Sequence, residues 1–152
     1  MSRSKPQFFK QETKYSCAPA CLRMVLSVWG VEADEARLRD LSDCSPFGTN
    51  AFQLIEAAHQ LGFTASRKYT LESLDELANL VDEGLFPIVY VDLWPIKSGT
   101  RGQFHSMVVL AVEADGVNVL DPLVGEHKLS PEEFSTVWAE MRFLTIVIKE
   151  NE

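Results

Sequence analysis

The sequence predicts an α+β domain in which helices come first and an antiparallel sheet follows, and three observations predict it. Apolar residues recur at helical spacing from Ala20 to Leu61, runs rich in β-branched and aromatic residues dominate after Phe86, and Asp115-Gly116 between two such runs is a tight-hairpin signal. At 152 residues the chain is expected to form one domain over 1–152, large enough to bury a core without metal or disulfide staples.

The helical half is read as follows. Pro19 suits a first helical turn, where its missing N–H costs nothing, and Ala20 to Trp29 has the periodicity of a buried helix that stops at Gly30. Asp34 to Leu41 reads as a short amphipathic helix. DCSPFGTN is a loop whose Asn50 caps a third helix running to about Leu61, with Gly62 as its stop.

The period then changes. TASRKYT reads as a strand, and Ser73 with Glu76 offers a capping box for a helix through about Asp82. FPIVYVDL, FHSMVVLAVEA and GVNVLDP read as sheet strands, the last two joined at Asp115-Gly116. Ser130, Pro131 and Glu133 occupy N-cap, N1 and N3 places of a short helix, and a final strand is expected near Arg142 to Ile148.

Composition excludes several functions. A net charge of −8 lacks the clustered Lys and Arg that neutralise phosphates, so nucleic acid and anionic membrane surfaces are poor partners. No apolar run approaches the ~20 residues that span a bilayer, and MSRSKPQFFKQET has no apolar core of a secretory signal, so a cytoplasmic, not membrane-spanning, chain is expected. Cys17, Cys21 and Cys44 have no zinc-type spacing and are expected to stay thiols in a reducing compartment; no metal or organic cofactor is implied.

Placed before Ala18 and Pro19, Cys17 would stand at a helix N-terminus, where unpaired N–H groups and the macrodipole favour negative charge on sulfur. A thiolate is a nucleophile, and a nearby imidazole would complete its activation. The competing reading is a small buried hydrophobe that happens to precede a helix. Of three histidines, His59 lies near a helix C-terminus, where a cation needs no reaction to explain it, and His127 falls in a polar turn. His105 opens a strongly apolar strand next to the loop SGTRGQ, so it is the base candidate.

Centred on Asp115/Gly116, the hairpin would set position 105 opposite about 126, leaving Asp121 nearer the turn. Asp121 therefore reaches His105 only if the strand ends or bulges near Pro122. An Asp there would fix the imidazole tautomer; a plain turn carboxylate before proline is the other reading. Gln11 could offer a side-chain amide to a developing oxyanion beside the helix N–H groups.

QETKYSCAPACLRMVLSVWG, FHSMVVLAVEADGVNVLDP and GEHKLSPEEF together resemble the papain-like cysteine peptidases that remove double-glycine leader peptides, a family that includes the N-terminal peptidase domains of bacteriocin-exporting ABC transporters. The resemblance implies a papain-like fold with N-terminal helices packed on an antiparallel sheet, Cys17 as nucleophile, His105 as general base and acid, Asp121 as its orienter and Gln11 as oxyanion donor. It also implies a peptide or leader-peptide substrate and an ABC transporter as partner. Family members commonly carry Asp-Cys-Gly where this chain has Ser16-Cys17-Ala18, which adds a Cβ where backbone approach to substrate is expected. No nucleotide-binding motif follows, so a stand-alone peptidase or an excised domain is expected. LWPIKSGTRGQ is expected to overhang the cleft.

The residues leave two other functions open. One keeps the nucleophile but passes the acyl group to an amine or thiol, as an acyltransferase would; the other is a peptidase-like module that holds a peptide without cutting it.

Overall fold

The computed structural model describes residues 4–97 and 101–150. Three helices come first: α1 (Cys17–Val28), α2 (Glu35–Leu41) and α3 (Ala51–Gln60). They are followed by β1 (Arg67–Thr70), α4 (Leu74–Asp82), β2 (Ile88–Asp92), β3 (Phe104–Glu113), β4 (Gly116–Asp121), β5 (Gly125–Leu129), α5 (Pro131–Ala139) and β6 (Leu144–Val147). The six strands form one antiparallel sheet in the order β1-β6-β2-β3-β4-β5.

Helix ends follow the local chemistry. Asp34 caps α2 by accepting from the Arg37 N–H, and Asn50 and Ser130 open α3 and α5 with reciprocal capping boxes through Gln53 and Glu133. At α4 only half of the expected box forms. Ser73 accepts from the Glu76 N–H, but the Glu76 carboxylate turns to the N–H of Glu72 at 2.9 Å. Helix α1 begins at Cys17, a turn earlier than its apolar periodicity, and closes at Gly30 with Val31 N–H bonded to Leu26 O and Gly30 N–H to Ser27 O.

Helices cover both faces of the sheet. Ile88, Tyr90, Val108, Leu110, Leu120 and Ile146 pack with Leu22, Met24, Leu38 and Leu54 of α1–α3. The alternate residues Val89, Val91, Met107, Val109, Val117 and Val119 pack with Leu77 of α4 and Phe134, Val137 and Trp138 of α5. Burial on both sides explains why β2 and β3 read as nearly unbroken apolar runs and not as alternating ones. The short polar run GEHKL, an edge strand with its even-numbered residues Glu126 and Lys128 exposed, gave no such signal, and it carries His127 on β5 and not in a turn.

The β3–β4 hairpin departs from the expected register in a way that builds the site. Glu113 pairs with Gly116, so the two-residue loop is Ala114-Asp115 and not Asp115-Gly116. Gly116 is required by a neighbour: a Cβ there would meet the Leu129 carbonyl oxygen at 2.4 Å. A bulge between Val109 and Ala111 then shifts the pairing again, to Val108 with Leu120. Continued by one pair, this register sets Met107 opposite Asp121 and makes His105 its diagonal neighbour, within reach of a long side chain.

The core on the α1 face carries the largest share of what places Cys17. Leu22→Ala, at a fully buried position of α1, is expected to lower unfolding free energy by about 2–5 kcal/mol in urea titrations. A loss under 1 kcal/mol would show that α1 is held by something other than this core.

Candidate active site

Five segments meet at a cleft of about 510 Å³: the arm before α1, the start of α1, the loop between α2 and α3, the start of β3 with the residues leading into it, and the turn after β4. Gln11, Cys17 and His105 line it together. A second hollow of about 480 Å³ opens around Leu41, Phe52 and His59, but its histidine is spent structurally, donating from Nε2 to the Ser66 carbonyl at 3.0 Å.

Cys17 is the first residue of α1 and only 6 % exposed. Ser16, the N-cap residue, makes no side-chain cap; its hydroxyl oxygen accepts from the Thr13 N–H at 3.1 Å instead. With no side-chain cap from Ser16 and no N–H on Pro19, the first turn of α1 leaves the Cys17 and Ala18 N–H groups without a capping side chain, the end of a helix that favours an anion. The Ala18 methyl lies in the α1-side core, fully buried, so the expected obstruction of the cleft by its Cβ does not arise.

His105 is buried, and its Nε2 meets Asp121 Oδ1 at 2.8 Å. Burial alone would push the imidazole down; the hydrogen bond to Asp121, the neighbouring Cys17 sulfur and the charges on both outweigh it and raise its pKa from 6.5 to about 9. The reciprocal holds for Asp121. Burial pushes its carboxyl up, but the imidazole's hydrogen bond and charge and the Leu123 N–H bring the balance below the usual carboxylate range.

Asp121 is fixed by a turn as well as by its strand. The same Oδ1 accepts the Leu123 N–H at 2.8 Å, the Asp121 carbonyl accepts the Val124 N–H at 3.2 Å, and Pro122 occupies the second turn position. Proline thus ends β4 one residue after the carboxylate and holds it at the mouth of the hairpin.

Gln11 is 7 % exposed. Its Nε2 donates to the Thr13 carbonyl at 2.7 Å, which fixes the amide orientation, since the reverse would set two acceptors together. One N–H of that amide remains for a ligand in the cleft; Oε1 has no partner among the described residues.

Sequence reasoning missed the walls of the cleft. Phe104 stacks on Tyr90 with ring centroids 5.2 Å apart, and Tyr90 donates its hydroxyl proton to the Thr49 carbonyl at 2.8 Å. A Cβ at Gly48, whose φ is +91°, would come within 2.7 Å of the Phe104 ring, so glycine lets the Pro46–Gly48 tip close against it. Phe47 on that tip is 92 % exposed at the rim. Of the stretch expected to overhang the cleft, Gly102 and Gln103 line it, while Gly99 lies outside the described residues. Buried Asp92 ties the two ends together by accepting the Trp94 N–H at 3.1 Å and the Gly102 N–H at 2.8 Å.

The same arrangement of elements occurs in known proteins. The peptidase domain of Streptococcus ComA, a bifunctional ABC transporter of a quorum-sensing pathway, superposes with a TM-score of 0.80 at 28 % identity over 97 % of this chain and 100 % of that one. A double-glycine-motif protease from an AMS/PCAT transporter, solved with its leader peptide, has the same fold at 23 % identity, TM-score 0.76, over 99 % and 95 % of the two chains. The Lactococcin-G-processing and transport ATP-binding protein LagD of Lactococcus lactis subsp. lactis is 32 % identical over 128 residues, which are 84 % of this chain and 17 % of that protein. The chain thus spans under a fifth of that relative's length. The model of the peptidase C39 family matches residues 5–151, and with it the helix-borne thiol, the strand-borne imidazole and the papain-like fold have one explanation: the chain belongs to the peptidase C39 family.

Proposed function

We propose that this cysteine peptidase cleaves leader peptides through Cys17, His105, Asp121 and Gln11, and that it works on the cytoplasmic side of an export ATP-binding protein, as a partner or as a part of one. The observation that carries the reading is the His105 imidazole fixed by Asp121 Oδ1 at 2.8 Å and lining one open cleft with Cys17 and Gln11. The names of the transporter-borne relatives support the choice of substrate and partner, and the double-glycine junction is the first cleavage site to try.

The reaction starts from the form in which the proton is on the imidazole, beside the Asp121 carboxylate, and the Cys17 sulfur is the nucleophilic thiolate. The thiolate attacks the carbonyl carbon of the scissile bond, and the oxygen that gains charge receives the Gln11 Nε2 N–H and the Cys17 N–H. The imidazolium gives its proton to the departing amine, leaving a thioester on Cys17. Water then attacks that carbonyl as the imidazole takes its proton, the carboxylic acid product departs, and thiolate and imidazolium are restored.

This scheme fixes the pH dependence. The donor is the imidazolium, populated below its pKa, so kcat/KM on a Gly-Gly junction peptide is expected to fall as pH rises through about 9. Asp121→Asn keeps a hydrogen-bond acceptor but removes the charge, and is expected to move that alkaline limb to lower pH. Cys17→Ala should yield no cleaved product by mass spectrometry. A limb that stays in place in Asp121→Asn would remove Asp121 from this role.

Thiol reactivity gives a separate check. Burial pushes the Cys21 thiol well up, and burial likewise outweighs the Thr49 hydrogen bond at Cys44. At pH 7 iodoacetamide is expected to label Cys17 well ahead of both. Equal rates at all three, read by peptide mapping, would favour a peptide-holding module without chemistry.

A further inference from the structure

Gln11 stands on an arm with no helix or strand of its own, yet an oxyanion donor contributes only if it is held to within about 0.5 Å of its productive place. The geometry points to Glu35, on α2, as the positioning residue that holds it. The inference rests on the reading of Gln11 as the oxyanion donor.

Glu35 is fully buried, and its Oε1 accepts the backbone N–H of Glu12, the residue after Gln11, at 2.9 Å. Its other oxygen pairs with Arg39 one turn along α2, and Arg39 reaches the Glu12 carboxylate at 3.3 Å. Arg23 of α1 lies 3.7 Å from the same carboxylate and 3.9 Å above the Phe9 ring. On its other side, the Gln11 N–H donates to the Pro122 carbonyl at 2.8 Å, in the turn that fixes Asp121. The peptide groups before and after the Gln11 Cα are therefore both tied, one to the Asp121 turn and one to the Glu35 carboxylate. With the Thr13 carbonyl holding the amide, the side chain has little freedom left.

Stability is a weak reason to keep such a group. A buried ion pair recovers at best part of its desolvation cost, and apolar side chains of similar volume often do as well. Fixing a coil residue is a stronger one, because a preorganised donor avoids reorganisation when charge develops on the substrate. Removing the carboxylate would leave the Glu12 N–H without its acceptor and free the arm on the side away from Pro122.

The test is a double-mutant cycle read on two reactions: cleavage of a Gly-Gly junction peptide, which passes through an oxyanion, and alkylation of Cys17 by iodoacetamide, which does not. Gln11→Ala is expected to lower kcat by about 10²–10³-fold. Glu35→Ala should lower kcat by about tenfold, with KM and the alkylation rate within about twofold of wild type, and should add nothing in the Gln11→Ala background. Glu35→Gln, whose amide oxygen can still accept the Glu12 N–H, should fall between wild type and Glu35→Ala; if Glu35→Ala does not fold, the cycle is run with Glu35→Gln and the same loss of effect beside Gln11→Ala is expected. Equal losses from the Glu35 change in both backgrounds, or alkylation falling in step with kcat, would overturn the positioning role. If Gln11→Ala leaves kcat unchanged while Cys17→Ala abolishes cleavage, it is the oxyanion assignment that fails.

Discussion

The candidate site depends on one buried ring placed between a carboxylate and a sulfur. Buried alone, the His105 imidazole would give up its proton; set between the Asp121 carboxylate and the Cys17 sulfur, it keeps it. Each of the three groups comes from a different element, and none of them would be activated on its own element alone. The fold can be understood as the means of bringing a helix start, a strand start and a strand end to one point.

Two local irregularities make that meeting possible. The hairpin loop at Ala114-Asp115 and the bulge in β3 between Val109 and Ala111 together place a carboxylate diagonally across from an imidazole, where an unbroken ladder centred on Asp115-Gly116 would have set them apart. The omission of a side-chain cap by Ser16 serves the same end at α1, because a satisfied helix start would have no N–H to offer an anion. These features each cost the fold some regularity.

Much of this was legible in the residues. Helix starts at Asp34, Asn50 and Ser130 and the stops at Gly30 and Gly62 are local chemistry, and the structure places them as read. The change of period after Phe86 pointed to the sheet, and the order of Cys17, His105 and Asp121 with Gln11 pointed to the candidate site through a resemblance that no single residue carries. What was not legible is tertiary. The register turned on the loop position and on a bulge that leaves no mark in an apolar run, β5 is too polar and too short to announce itself, and nothing in the sequence sets Glu35 apart from the other acidic residues, although it is buried beneath the arm. The Phe104 wall, backed by buried Tyr90, was hidden for the same reason, since stacking across two strands has no sequence period.

Titration of the His105 ring by NMR, following its carbon and nitrogen shifts from pH 5 to 11 in the wild-type chain and in Cys17→Ala, tests the central claim most directly. The structure predicts a ring protonated up to about pH 9, and a midpoint that falls once the sulfur is gone. A midpoint near the ordinary value of 6.5, indifferent to the presence of Cys17, would contradict it.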